Sequence, residues 1–298
     1  MQHVDDDGVF ANLRTRMAPA RRFGPFVGLA LLIAAIAFVA RSNSIGAASD
    51  ALRAASLSTI ALLMASVLAS VGLTGTVFWI LIRRFGTVPF GEMQALMAST
   101  TLANYLPLRP GLIGRVAYHK VQHGIRGRDT LRTVIEAMGL SAFALIVALP
   151  ALALGNSCEL PLGITLLVPA LLGLVGLAFA STHMLSAAWL LRYAETLLTA
   201  LRYHLAFALV GTSITAETSV AIACVSMTAT LVPFLSNGIG LREWAIGLLA
   251  PVLTGYQVEQ GIAAELVNRA AEIAVVVPTG LIGAAVLWRR SRRVKTNQ

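Results

Sequence analysis

The stretch NYLPLRPGLIGR, residues 104–115, places two prolines, two glycines and two arginines between long apolar runs. Proline and glycine interrupt helices, and an arginine is costly inside a bilayer. A continuous membrane-spanning helix would avoid this combination. The stretch therefore predicts a break in the chain, at which polar groups meet apolar surroundings.

The remainder of the 298-residue chain is strongly apolar, with 57% hydrophobic and 12% charged residues. This composition lies outside the range of soluble domains, and several runs reach the ~20 residues that a helix needs to cross a bilayer. We expect an all-α, polytopic helical membrane protein. The net charge of +9 does not indicate a nucleic-acid partner, because the arginines lie in short loops and at span ends. Two cysteines are too few for a zinc site, and we expect no metal or cofactor.

The apolar runs predict about six full spans and four shorter segments. The spans cover residues 24–40, 56–82, 129–154 and 162–181, a fifth that starts near Leu197 after an interfacial elbow, and 257–288. The shorter segments cover residues 90–106, 111–123, 217–235 and 241–254, and their breaker-rich tips favour two re-entrant helical hairpins. We predict a single transmembrane domain, residues 24–288, between an N-terminal tail (1–23) and a basic tail (289–298).

Basic residues predict the orientation. Arginines precede the first span and RRSRRVK follows the last, so both termini are expected in the cytoplasm, with the protein in a bacterial inner membrane. If the spans alternate, Arg192 and Arg202 also fall on the cytoplasmic side. The opposite side carries Arg41, Arg53 and Arg242.

A second stretch, LVPFLSNGIGLRE at residues 231–243, repeats the pattern of the first. Pro233 and Gly240 have the same separation as Pro107 and Gly114, and an arginine follows each glycine. The first break enters from the cytoplasm and the second from outside, which predicts an inverted-topology repeat. The half-repeats span about 56–154 and 185–288. Two ordinary loops between spans are the alternative.

Such breaks are suited to a binding site. Irregular backbone at membrane depth is tolerated where it lines a cavity or is buried in protein, and the free amides at a helix start favour an anionic group. Arg242 and Glu243 are adjacent, so we expect one to line the cavity and the other to pair elsewhere.

Three further ionisable residues, Glu136, Arg269 and Glu272, fall inside predicted spans. Each costs at least ~2.5 kcal/mol there and should be paired. Glu265, Arg269 and Glu272 have the spacing of a self-neutralising helix face. Two interpretations stay open: a structural ion network, or a phosphate contact at Arg269 with proton uptake at Glu136 or Glu272.

Arg115, His119 and His123 recur every four residues. This spacing predicts a basic helix face near the cytoplasmic surface, suited to lipid phosphates. A metal site at the two histidines is not expected, because no nearby carboxylate has matching geometry.

Together the two breaks resemble the flippase-like transmembrane family, which is the membrane region of lysylphosphatidylglycerol synthases (multiple peptide resistance factors), over residues 20–290. The family's first break reads Asn, then Pro-x-Arg-x-Gly-Glu, then Arg, and its second reads Gly-Gly-x-Gly-x-x-Glu. Leu112 replaces the acid of the first, and Asn237 replaces the first glycine of the second. Arg269 resembles an arginine of the family's last span, and a first-half Glu-Arg pair is reduced to Glu136. The matching residues in the breaks are Asn104, Pro107, Arg109, Gly111, Arg115, Asn237, Gly238, Gly240 and Glu243.

The resemblance implies translocation of a lipid between leaflets, and we expect an anionic or phosphate-bearing amphiphile moved by alternating access. The expected substrate-binding residues are Asn104, Pro107, Arg109, Gly111, Arg115, Glu136, Asn237, Gly238, Gly240, Arg242, Glu243, Arg269 and Glu272.

Two alternatives stay open. The first is a non-transporting membrane partner of a lipid or cell-envelope synthesis complex. For either function the expected partners are a membrane lipid, and further copies of the chain or lipid-synthesis enzymes. A lipid-modifying enzyme is less favoured, since the sequence has no HExxH, GxSxG or Asp-rich diphosphate motif. We expect no aminoacyl transfer, because these 298 residues include no soluble synthase domain.

Overall fold

The computed structural model describes residues 18–42, 46, 50–51, 53–106, 110–179, 182–231 and 236–296. Over these residues the chain is helical and has no strand, as predicted from its composition. The helices with described bounds are α1 (Ala18–Arg41), α2 (Leu57–Ile82), α3 (Phe90–Ala103), α4 (Pro110–His123), α5 (Gly127–Ser157), α6 (Leu162–Leu177), α7 (His183–Leu209), α8 (Ala216–Leu231), α9 (Leu241–Thr254) and α10 (Val258–Thr296).

Three of these helices are long and apolar enough to cross a membrane: α2, α5 and the Val258–Arg290 portion of α10. Shorter apolar helices occur at Phe26–Arg41, Leu162–Leu177 and Ala216–Leu231. These helices indicate a membrane protein, whereas the number of six spans stays a prediction.

The predicted interfacial elbow before the fifth span is wrong. Residues 183–209 form one uninterrupted helix, α7. Its charged residues lie within the bundle, where Arg192 and Arg202 are 8% and 7% exposed. A helix whose charges are paired inside the protein does not need to lie in the interface to solvate them.

The same order of helices occurs twice: long, short, short, long. Helices α2 to α5 have 26, 14, 14 and 31 residues, and α7 to α10 have 27, 16, 14 and 39. The turn before each final long helix has three residues and begins with a glycine at positive φ, Gly124 (65°) or Gly255 (74°). A short helix of this kind rises only about 21–24 Å, which is less than the ~30 Å hydrocarbon core.

The packing follows this repetition. Helix α2 packs against α7, α3 packs against α10, and α8 packs against α5. Each short first helix therefore lies against the final long helix of the other half. One apolar core joins α7, α8, α9 and α10 around Phe207, Ile222 and Ile262, and another joins α2, α3 and α5 around Leu81 and Met93.

The two pairs of short helices have their bases at opposite ends of α10. At its C-terminal end, Arg290 Nε lies 3.0 Å from Glu92 Oε2, at the start of α3. Just before its N-terminal end, the Tyr256 hydroxyl donates to the Ser213 carbonyl oxygen, 3.1 Å away, in the turn that precedes α8. The α3–α4 pair and the α8–α9 pair consequently enter the bundle from opposite directions along α10.

Candidate substrate cavity

A cavity of about 440 Å³ lies between the two halves, and both breaks contribute to its wall. Asn104 and Tyr105 come from the first break, and Asn237 and Arg242 come from the second. Charged side chains from other elements that line it are Arg115, Glu195, Arg202 and Glu272.

The first break depends on a close approach at Gly111. A Cβ at this position would lie 2.0 Å from the Thr100 carbonyl oxygen and 2.5 Å from Asn104 Oδ1. Only glycine allows α4 to pass the end of α3 at this distance. Pro110 is the first residue of α4, a position where its missing N–H and fixed φ are favourable. Pro107 and Arg109 lie outside the described residues.

The second break is unwound by three residues in the left-handed region. Asn237, Gly238 and Gly240 have φ values of 50°, 67° and 82°. Asparagine and glycine are the residues that adopt this conformation at least cost. The carbonyl oxygen of Asn237 accepts a hydrogen bond from Arg269 Nη1 at 3.2 Å. Helix α10 therefore holds the interrupted backbone in place.

Next to this break lies a buried ion network of three arginines and three glutamates. Arg242 binds both carboxylate oxygens of Glu272 at 3.1 Å and Glu265 Oε1 at 3.0 Å. Arg202 reaches Glu272 Oε1 at 3.2 Å. Arg269 Nε donates to Glu243 Oε1 at 3.0 Å. All six groups are less than 10% exposed, so each charge is balanced inside the protein.

Glu272 connects the two breaks directly. The Tyr105 hydroxyl donates to Glu272 Oε2 at 3.3 Å, and Arg242 Nη1 donates to the same oxygen at 3.1 Å. A residue from the first break and a residue from the second thus share one carboxylate.

A polar stripe on α7 forms another wall of the cavity. Arg192 Nη1 lies 2.5 Å from Glu195 Oε2, and Thr74 of α2 donates to Glu195 Oε1 at 2.8 Å. Glu195, Thr199 and Arg202 line the cavity. Arg192, Glu195, Thr199 and Arg202 follow one another at intervals of three, four and three residues. This spacing puts all four side chains on one face of the helix.

Arg115 approaches the cavity from α4. Arg115 is buried, with 5% of its surface exposed. Its Nη2 donates to Thr100 Oγ1 at 3.3 Å, and its guanidinium carbon lies 4.2 Å from the centre of the Phe78 ring.

The structure separates ten of the thirteen predicted substrate-binding residues into three groups. Asn104, Arg115, Asn237, Arg242 and Glu272 line the cavity. Gly111, Gly238 and Gly240 shape the backbone around it. Glu243 and Arg269 bind each other beside it and are not among the cavity-lining residues that the structure describes. For Arg269 the contacts favour the structural ion network over a phosphate contact. Of the adjacent residues Arg242 and Glu243, the first lines the cavity and the second binds Arg269.

The expectation that Glu136 binds substrate is not supported. Its carboxylate binds Arg84 and Arg132, and it is absent from the cavity wall described. Arg84 follows the end of α2, so Glu136 belongs to an ion cluster at one end of the bundle.

The expectation of a basic surface face on α4 is wrong, because that face points into the protein. His119 is 1% exposed, and its Nδ1 lies 3.2 Å from Thr130 Oγ1. His123 Nε2 lies 2.6 Å from Glu92 Oε1. No cluster of three or more His, Cys, Asp or Glu side chains suited to a metal occurs in the described part of the chain.

Sequence reasoning missed the burial of two arginines and the contacts of the tyrosines. Arg192 and Arg202, which charge counting put on the cytoplasmic side, are buried. The 3, 4, 3 spacing on α7 is the signal that would have identified both. Tyr203, whose hydroxyl lies 2.6 Å from both Ser226 Oγ and Glu265 Oε2, carries no comparable local signal.

No protein-family model, curated protein or solved structure matches the chain. Function is therefore inferred from the cavity.

Proposed function

We propose that the protein moves an amphiphilic lipid between the leaflets of a bacterial cytoplasmic membrane by alternating access. The observation that carries this proposal is the shared cavity: Asn104 and Tyr105 of one break line it together with Asn237 and Arg242 of the other. Interrupted helices that meet at one site are the arrangement in which transporters bind their substrates.

An inverted repeat is the second element of the proposal. The repeated order of helix lengths, the matching glycine turns and the equivalent packing of α3 on α10 and α8 on α5 support it. The two hairpin bases at opposite ends of α10 support the inverted sense. Helix α6 is as short as α8, with 16 residues, but it has no charged residue, so the proposal counts it as a crossing helix. With α1, α2, α5, α6, α7 and α10 crossing, the hairpins would enter from opposite faces of the membrane.

The cavity wall is suited to an amphiphile because it combines charged and apolar side chains. Arg115, Arg202, Arg242 and Glu272 are charged, whereas Leu112, Val134 and Met138 are apolar. A head group is stabilised by the charged part, and a chain by the apolar part. The resemblance of the breaks to flippase-like membrane regions agrees with this assignment.

Exposed basic residues support an orientation with both termini in the cytoplasm. Arg83 and Arg126 are exposed in the turns after α2 and before α5, and Arg128 is exposed in the first turn of α5. Arg290 lies at the same end of the bundle through its contact with Glu92. Basic residues accumulate on the cytoplasmic side of membrane proteins.

The test is a leaflet-exchange assay in proteoliposomes. A phospholipid with a fluorescent head group is placed in both leaflets, and an impermeant reductant quenches the outer one. The proposal expects the wild-type protein to make the protected inner pool accessible, and expects Arg115→Gln to slow this at least tenfold. Arg115 has no carboxylate within 4.0 Å among the described residues, so its removal strands no buried charge. Lys120→Gln, which changes an exposed basic residue of the same helix, is the matched control and should behave like the wild type.

Exchange at the rate of protein-free vesicles would overturn the proposal. Chemical change of the labelled lipid would instead indicate an enzyme, and loss of a partner complex in cells with normal leaflet distribution would indicate a scaffold.

A further inference from the structure

Among the described residues, Arg115 is the one buried guanidinium at the cavity whose charge no carboxylate balances. Arg202, Arg242 and Arg269 bind Glu243, Glu265 and Glu272 within 4.0 Å, and Arg192 binds Glu195. Five buried arginines thus face four glutamates. In their ordinary charge states these groups leave a single positive charge, and the geometry locates it at Arg115.

The contacts of Arg115 stabilise its position without neutralising it. Thr100 accepts one hydrogen bond from Nη2, and the Phe78 ring lies beneath the guanidinium. The Nε atom is buried and has no hydrogen-bond partner among the described residues. An unneutralised charge in such a place is unfavourable unless an anion joins it. A guanidinium is well suited to bind planar or tetrahedral oxyanions through paired hydrogen bonds.

The repeat explains why Arg115 lacks a carboxylate. Counting from the equivalent glycines Gly124 and Gly255, Glu243 corresponds to Leu112 and Arg269 corresponds to Met138. The ion pair of the second half is therefore an apolar pair in the first half. Both Leu112 and Met138 line the cavity, so the wall beside Arg115 offers apolar contacts, and no described carboxylate lies within 4.0 Å of this arginine.

We propose that Arg115 is the anion-binding group of the cavity and that the site accepts a group with a single negative charge, such as a phosphodiester or a carboxylate. The apolar remainder of the ligand would lie along Leu112, Val134 and Met138. A second negative charge would lie near Glu195 and Glu272, and the other two arginines described in the cavity wall, Arg202 and Arg242, are already paired with a glutamate. Binding it in a buried site would therefore be costly. This inference rests on the proposed function, because it names the substrate class of the same cavity.

The test measures lipid binding to the full-length protein in lipid nanodiscs, with three probes that differ in head-group charge. These are phosphatidylglycerol, a monoanionic phosphodiester; phosphatidic acid, a monoester that can carry two charges; and zwitterionic phosphatidylcholine. We expect phosphatidylglycerol to bind at least tenfold more tightly than the other two at pH 8. Equal binding of the three lipids would overturn the inference.

The matched variants are Leu112→Glu and Leu112→Gln. Residues 112 and 115 have i,i+3 spacing, so a glutamate at 112 supplies Arg115 with a carboxylate on its own helix. Any loss common to both variants reports the apolar contact at 112, and the difference between them reports charge alone. We expect phosphatidylglycerol binding to Leu112→Glu to be at least tenfold weaker than to Leu112→Gln. Indistinguishable affinities would contradict a site at Arg115.

A soluble competitor, diethyl phosphate, distinguishes a lipid head group from a free anion. Displacement of phosphatidylglycerol shows that the phosphodiester group suffices for binding, and lack of displacement together with charge-dependent lipid binding shows that the lipid is required. If neither phosphatidylglycerol nor diethyl phosphate binds, the inference is overturned. Charge-selective binding without leaflet exchange would support the site at Arg115 and refute the proposed transport. Leaflet exchange without charge-selective binding would support the transport and refute the site.

Discussion

At the residue scale, the proposed repeat pairs two buried charged residues of the second half with two apolar residues of the first half. Glu243 and Arg269 are an ion pair that is almost fully buried, and their counterparts Leu112 and Met138 are apolar. Replacing a buried ion pair by apolar residues of similar size is often neutral or stabilising, whereas removing one partner alone leaves a buried charge. The chain therefore suggests its own substitution experiment.

The first prediction concerns this pair. Arg269→Met leaves Glu243 buried without its closest cation and should lower the free energy of unfolding by about 3–5 kcal/mol. The double variant Glu243→Leu with Arg269→Met reproduces the first-half pair and keeps the remaining network balanced, so it should recover most of that loss. Thermal unfolding in detergent measures both. A double variant that is no more stable than Arg269→Met would show that the two side chains are not coupled.

At the element scale, the hairpins depend on close contacts at their broken ends. Gly111 lies against the backbone of α3, whereas a Cβ added at Gly114, one turn further along α4, would meet no atom of another element within 4 Å. Gly111 is therefore required for the close contact between α3 and α4, whereas Gly114 is not.

The second prediction uses this difference. Gly111→Ala forces the new methyl group into the Thr100 carbonyl oxygen and should destabilise the α3–α4 hairpin by about 1–3 kcal/mol. Gly114→Ala should be neutral or slightly stabilising, because alanine favours a helix by about 1 kcal/mol over glycine. Limited proteolysis at residues 104–110, compared between the two variants, reads out the hairpin. Equal cleavage rates would argue against the close approach.

The positions of the helix breaks could be predicted from the sequence, whereas the burial and the contacts of the charged side chains could not. Proline and glycine at 107–114 and 233–240 marked both breaks, since backbone constraints are local. Charge was less informative. Charge counting puts Arg192 and Arg202 on the cytoplasmic side, because hydropathy does not distinguish a buried paired charge from a solvated one. The contacts of Tyr105 with Glu272 and of Tyr203 with Glu265 join residues 167 and 62 positions apart, which no local pattern specifies.

At the scale of the whole molecule, the account depends on the two hairpins entering from opposite faces. Helix α10 is the reference, because Glu92 at the base of the α3–α4 hairpin contacts Arg290 near its end, and Tyr256 at the base of the α8–α9 hairpin precedes its start. If α10 crosses the membrane once, the two bases are on opposite sides. A cavity reached by one break from each side is the arrangement that alternating access requires.

Two glutamines report these sides directly. Gln122 lies at the base of the first hairpin and Gln257 at the base of the second, and both are exposed. Each is replaced by cysteine in a background in which Cys158 and Cys224 are alanine. A membrane-impermeant maleimide is then applied to cells before and after permeabilisation.

The measurement that tests the account most directly is the side from which these two cysteines react. We predict that Gln257→Cys is labelled in intact cells and that Gln122→Cys is labelled only after permeabilisation. Labelling of both cysteines from the same side would contradict the inverted arrangement and, with it, the proposed path of a lipid through the cavity.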